Sequence, residues 1–328
     1  MPSRARSDFF FQFVSYGRNG PGLRDRLSAS QIQQIGRTVG RTPEVMVKVL
    51  PKGATTLSAV RRHLDYIDRK GELELETDDG NLRGRDVGQD LVEDWDLDID
   101  QQRPTSALRS RPAKSPPRLV HKLMFSMPPG TPPQKVLEAV RNLCREEFAL
   151  KHRYAMALHT DEPHPHVHVV VKAISERGER LNLRNETLRR WREQFAQQLR
   201  ALGVPANATP RYARGQTTPR KADGIYRASL RGESTHMQAR IDAATQDLSR
   251  GGPRDELGGR KLRETRENVR RAWGEIGAAL LNEGHQELSA RVKRFVNEMP
   301  PPLTERAYMA DKLLQRTRTI KSRDGPAR

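Results

Sequence analysis

Four of the nine histidines in this chain fall within ten consecutive positions, in HTDEPHPHVHVVV at 159–171. Side chains alternate along a strand, so His166 and His168 share one face while Val167 points to the other. The DEPHP turn brings the preceding strand back alongside, which sets His159 next to both. Three imidazoles from two adjacent strands form a facial set of nitrogen ligands. Such a set leaves coordination positions open to substrate or water, as catalytic sites do and closed structural sites do not. A lone histidine on a strand is ordinarily a core or surface residue. Three with this spacing beside an aspartate predict a bound metal. Asp161 is placed to orient an imidazole or to hold a proton. His164 stays open among a substrate contact, a proton carrier and a turn residue.

The partner chemistry follows from charge. The chain carries 59 basic and 41 acidic residues, a net charge of +18, and an acidic partner of this kind is most often nucleic acid. A metal on such a protein points to phosphodiester chemistry, by metal-bound water or by attack of a side chain. The candidate side chain is Tyr66 in HLDYIDRKG. It lies beside the apolar stripe of its helix, so its hydroxyl can reach past the sheet edge, with Arg69 and Lys70 near for phosphate. Two readings stay open: a structural tyrosine at an interface, which periodicity alone favours, and a nucleophile.

With 328 residues, 35% hydrophobic and 30% charged, the chain supports one large or two smaller domains together with polar surface and linker. The single cysteine, Cys144, excludes a disulfide or a cysteine zinc site within one chain and falls in an apolar helical pattern, as a buried structural thiol does. No segment has the length of a membrane span, and the aromatic run Phe9–Val14 is too short for a signal core, so the expectation is a cytoplasmic protein.

The elements that must position these residues are legible as periodicities. EVMVKVLPKG reads as a strand. A helix follows, capped by Thr55 or Thr56, with Leu57, Val60, Leu64 and Ile67 on one face and Gly71 as its stop. ELELET is a short strand. Glu74–Asp100 holds eleven acidic and two basic residues, the pattern of a solvated helix and loop. RPTSALRSRPAKSPPR at 103–118 is a basic, proline-rich connector. LVHKLMFSM is a strand ending at Pro128, and a helix runs to about Leu150. Two strands, YAMALHT and HVHVVVKAI, flank the turn, and a helix capped by Asn185 runs to Leu202. The fold class is α+β: an antiparallel sheet with helices packed on it, and a mainly helical C-terminal region. The expected division is a polar leader at 1–43, a catalytic domain at 44–230 with an insert at about 77–118, and a charged helical region at 231–328 with a disordered basic tail.

Two separated stretches, YIDRKGELEL at 66–75 and HTDEPHPHVHVVV at 159–171, resemble motifs of conjugative relaxases and mobilisation nucleases of the MobA/VirD2-like group. HKLMFSMPPGT between them is similar too, and the resemblance spans roughly 44–230. It implies the HUH endonuclease fold, in which His166 and His168 are the HUH pair. It implies that Tyr66 attacks a DNA phosphate at a strand-specific nick, leaving a 5′-phosphotyrosyl adduct and a free 3′-hydroxyl, with His159, His166 and His168 holding magnesium or manganese. Asp161 is then the first choice for general base or orienting group, and Ser126 for a substrate contact. Lys172 and Pro163 depart from the group's usual residues, and the leader is longer than expected.

A relaxase holds single-stranded DNA across its sheet by cations and stacking planes. Arg211–Arg231, with six basic residues and one acidic, is the expected clamp, through Arg211, Tyr212, Arg214, Arg220 and Lys221, with Tyr226 interleaved. The resemblance further implies an origin of transfer, accessory DNA-binding proteins, a type IV coupling protein and passage with DNA to a recipient cell. The tail residues Arg316, Arg318, Lys321, Arg323 and Arg328 resemble the signals that secretion systems of this type read. Rolling-circle replication initiation and a non-catalytic DNA-binding regulator on the same fold are the alternatives.

Overall fold

The computed structural model describes residues 26–50, 55–102, 116–216, 228, 231–250 and 257–323. Phe9–Val14, the connector at 103–115, Arg220, Lys221, Tyr226 and Arg328 lie outside them. The chain divides into two compact units, Gly40–Ala208 and a unit made of Met1–Val39 with Thr209–Arg328.

The first unit is built on a six-stranded sheet, β1 Met46–Val49, β2 Leu75–Thr77, β3 Asn81–Leu82, β4 Val120–Ser126, β5 Tyr154–His159 and β6 His166–Lys172, with spatial order β1-β4-β6-β5-β2-β3. Every pairing is antiparallel. The central strands β4, β5 and β6 read as near-continuous apolar runs because helices cover both faces. On one face, α5 (Pro133–Glu147) and α6 (Asn185–Ala201) pack Val140, Leu143, Trp191 and Phe195 onto Phe125, Val167, Val169 and Val171. Cys144 is buried there, as its helical pattern predicts. The opposite face is covered by α2 (Leu57–Ile67), α3 (Val87–Asp94) and α4 (Leu97–Gln102), around Val60, Leu64, Ile67, Leu91, Trp95 and Leu97. The unit is closed where Val45 N–H donates to the Asn207 carbonyl at 2.9 Å and Asn207 N–H to that of Pro43 at 2.8 Å.

Thr56 is the cap of α2, its hydroxyl accepting from Ala59 N–H at 3.3 Å. The helix stops earlier than the Gly71 signal predicts. It ends at Ile67, and three residues with left-handed φ follow: Arg69 at 56°, Lys70 at 58° and Gly71 at 88°. A side chain in that region costs about 1–2 kcal/mol. A Cβ at Gly71 would lie 2.5 Å from the Gly84 backbone, so the glycine is needed for the close approach of two chain segments and not as the helix stop. Asn185 is likewise the first helical residue and not the cap, which is Arg184.

The acidic stretch differs most from its sequence reading. It forms β3, α3 and α4, and Trp95 and Leu97 are fully buried under α2. Its carboxylates are tied to the sheet. Arg153 pairs with Asp78 at 2.7 Å, with Asp94 at 2.7 Å, and with Asp79. Lys172 and Asp100 form a buried pair at 3.9 Å. Solvation alone therefore does not explain the charge run: the helices carry apolar faces that a count of charges hides.

In the second unit, α1 (Ala29–Val39), α8 (Leu257–Asn282) and α9 (Gln286–Asn297) enclose Ile35, Val269, Trp273, Ile276 and Phe295, with Ala213 from the 3₁₀ turn Tyr212–Arg214. Residues 29–39, read as polar leader, thus form a helix in this core, and 209–216 belong here too. Arg306 of α10 (Glu305–Arg323) clasps Asp247 of α7 (Thr235–Ser249) with both carboxylate oxygens engaged. The segment expected to be a disordered tail continues α10 as far as Arg323.

Trp95→Ala should cost about 3–5 kcal/mol, read from the urea midpoint; a loss under about 1 kcal/mol would mean that the acidic helices lie outside the core. A second test uses pH. His121 is buried with a ring nitrogen 3.0 Å from the Leu181 carbonyl, and burial pushes its pKa down to about 4. The unfolded chain takes up this proton first, so stability is complete above pH ~6.5 and declines as pH falls towards 4, by roughly 3 kcal/mol for this group. His121→Gln should flatten the stability–pH curve by that amount between those limits.

Candidate active site

Strand register assembles the histidines. His159 on β5 faces His166 on β6 directly, and Ala157 faces His168. The three ring centroids are 4.7–5.2 Å apart, and one nitrogen from each falls within 4.8 Å of the others. Ser126 of β4 faces His166, and Met124 faces His168, so Ser126 shares the row of the triad and is itself buried.

Hydrogen bonds place the ring proton of two of the three histidines. His159 Nε2 lies 2.7 Å from the Ile67 carbonyl. A carbonyl only accepts, so this nitrogen carries the proton and Nδ1 keeps its lone pair. His166 Nδ1 donates to the His164 carbonyl at 3.0 Å, which leaves Nε2. His168 Nδ1 is buried without a partner. Burial pushes His168 down to about 3, helped by the neighbouring His159 and His166 charges, and pushes His159 down as well. Three imidazoles, each with a nitrogen within 4.8 Å of the others, suit a divalent cation, and at His159 Nδ1 the Arg69 guanidinium takes that place in this structure. The donor set and the orphaned His168 nitrogen fit the group.

Tyr66 stands over this triad from the last turn of α2. Its ring centroid is 5.8 Å from that of His168 and 6.0 Å from that of His159. Leu64 and Ile67 beside it are fully buried, whereas Tyr66 is 51% exposed, so the helix is anchored by its stripe and the tyrosine left free at the rim. The Arg69 guanidinium sits 5.3 Å from the Tyr66 ring centroid, the range of a cation–π contact. Arg69 Nη2 also lies 3.2 Å from His159 Nδ1 and is ion-paired to Asp161. Burial raises the Asp161 pKa, but the Arg69 charge, the backbone hydrogen bond at Asp161 and the nearby His159 and His166 together hold the carboxyl below its usual range. Asp161 therefore reaches His159 through Arg69.

The remaining expected residues divide. Lys70 is exposed on the left-handed turn and shares a cleft with Asp65, Gly71, Glu72, Gly84 and Arg85. His164 is exposed in the hairpin turn, where its carbonyl holds His166. Arg211, Tyr212 and Arg214 fall in the second unit, Arg214 Nε donating to the Thr209 carbonyl at 3.3 Å. Lys172 lies at the far end of β6 from His166 and is used by Asp100, so this departure from the group's pattern anchors the acidic helices. Two neighbours of the site were not singled out from sequence. His63 stacks on Tyr66 at 6.0 Å and 14° and meets His168 edge-on; its place three residues before Tyr66 on one helix face was the available signal. Lys122 shares the strand parity of Ser126 and so faces the same side.

The comparisons with known proteins agree with this geometry. The family model "Relaxase: MobA/VirD2-like, nuclease domain" matches residues 66–204. The T-DNA border endonuclease VirD2 of Rhizobium radiobacter is 29% identical over 137 residues, covering 39% of this chain and 31% of that protein. VirD2 of Agrobacterium fabrum is 29% identical over 140 residues, covering 39% and 30%. The chain thus spans under a third of the length of these relatives. The matched segment begins at Tyr66 and contains all three histidines, and over it the chain is similar to the nuclease domain of MobA/VirD2-like relaxases.

Proposed function

We propose that the protein is a DNA relaxase: a metal-dependent, strand- and site-specific endonuclease that nicks one DNA strand by tyrosine transesterification and can rejoin it. The observation that carries this reading is an exposed tyrosine standing over three clustered histidines.

In this reading His159, His166 and His168 hold magnesium or manganese, which supplies Lewis-acid polarisation of the scissile phosphate. Tyr66 attacks the phosphorus. The phenolic proton is lost, an O–P bond forms to the tyrosine, the bond to the 3′-oxygen breaks, and that oxygen leaves as the 3′-hydroxyl on taking a proton. One phosphodiester is exchanged for another, so the step runs in either direction. Asp161 is the candidate base or orienting group. Its engagement by Arg69 favours orientation, since an ion-paired carboxylate is a weaker base. Arg69 and Lys70 bring positive charge to the strand, and Ser126 adds a hydroxyl at the triad row. The alternation of chemistry and rejoining suits the start of conjugative transfer or mobilisation of a plasmid or integrative element from an origin of transfer, with accessory DNA-binding proteins, a type IV coupling protein and translocation with the strand. No helix among the described residues is long and apolar enough to cross a membrane, in keeping with work on cytoplasmic DNA.

The test is adduct formation. Purified protein, manganese and single-stranded oligonucleotides tiling the DNA upstream of its gene should give a covalent species that migrates slowly on a denaturing gel, and Tyr66→Phe should abolish it, by at least about a thousandfold. Cleavage that persists in the variant assigns the attack to water or another residue. Binding to the tiles with no cleavage of any of them would support a regulator on this fold instead.

A further inference from the structure

Beside the histidine face lies a second group of unpartnered polar atoms that the reaction above leaves unused. Lys122 on β4 faces Val170 of β6, one same-face step from Met124, which faces His168. It is 8% exposed. Burial and the Arg118 charge both push its pKa down, and no carboxylate offsets them. Among the described residues its ammonium has no ion-pair partner. The Lys122 charge also bears on His63, whose Nε2 is buried without a hydrogen-bond partner. His63 in turn touches Tyr66 and His168. The Lys122 nitrogen, unlike His63 Nε2 and His168 Nδ1, is not sealed from solvent.

A buried ammonium without an anion destabilises a fold, and structural lysines of this kind find a carboxylate. Here a long acidic segment packs on the same face of the sheet, and none of its carboxylates is spent on Lys122, although Lys172 takes Asp100. A cation kept unpaired in a fold rich in available carboxylates is reserved for an anion from outside. We propose that Lys122 is an anion anchor of the strand-binding surface: its ammonium receives a backbone phosphate of single-stranded DNA adjoining the phosphate that Tyr66 attacks. The proposal rests on the relaxase reading and adds to it a residue that grips the substrate.

The experiment separates binding from cleavage. The full chain carrying Tyr66→Phe is titrated against a dye-labelled oligo(dT) by fluorescence anisotropy over a series of potassium chloride concentrations, with and without Lys122→Met, and both proteins are melted. The expected result is a dissociation constant raised about tenfold at low salt. The log–log salt slope should become shallower by about 0.7, the loss of one single-strand phosphate contact, and the melting temperature should stay equal or rise because an unpaired buried charge has gone. Unchanged affinity and slope would overturn the assignment. So would a lowered melting temperature with an unchanged slope, which would make Lys122 a structural residue. Failure of the Tyr66→Phe parent to bind oligo(dT) at all would overturn the DNA reading, and Lys122 with it, whereas a binding parent with an identical variant curve removes Lys122 alone.

Discussion

One hydrogen bond organises the site: His159 Nε2–H to the Ile67 carbonyl, at 2.7 Å within the protein. The last carbonyls of a helix have no partner inside it. One of those orphans at the end of α2 is satisfied by a histidine of the neighbouring sheet. The bond fixes the tautomer of His159, leaves Nδ1 to accept from Arg69, and fastens the helix end that carries Tyr66 to the strand that carries His159. The left-handed turn at Arg69–Gly71 completes the arrangement. By leaving the helix axis at once, it brings the Arg69 guanidinium back over His159 and Asp161. Tyr66, His159 and Arg69 are thus set by one junction between a helix and a sheet.

That junction needs a floor, which the acidic segment supplies. Helix α2 is short, and isolated helices of this length are marginal in water. It holds its place because Val60, Leu64 and Ile67 are pressed between the sheet and Trp95, Leu91 and Leu97. Arg153 and Lys172, at the end of the sheet away from the histidines, bind Asp78, Asp79, Asp94 and Asp100. A segment whose composition looks like solvated surface is in mechanical terms the clamp behind the helix that carries Tyr66.

The centre of the fold was legible in the sequence. Strong apolar runs at Val120–Ser126, Tyr154–His159 and His166–Lys172 mark the middle strands, and strict alternation at His166 and His168 predicts the shared face that register then realises. Less was legible where tertiary contacts override local signals. Gly71 carries the sign of a helix stop, yet the position is dictated by contact with Gly84, thirteen residues on and outside any periodicity. Trp95 sits among carboxylates, so composition conceals its burial. Lys122 and His63 are single polar residues in otherwise ordinary elements; only the packing that leaves the Lys122 ammonium without an ion pair and His63 Nε2 without a hydrogen bond among the described residues sets them apart.

The position of the ligands in the sheet has a further consequence. His159, His166 and His168 stand on β5 and β6, third and fourth in an order of six, while β1 and β3 take the edges. Amides of central strands exchange with solvent only through the largest openings of a fold, and those of edges and helix ends through small local ones. The coordinating frame therefore belongs to the slowest-opening layer of the molecule. Tyr66 is on a helix end fastened to that layer through the Ile67 carbonyl. Loss of that one bond frees the orientation of His159 while the strands behind it stay paired.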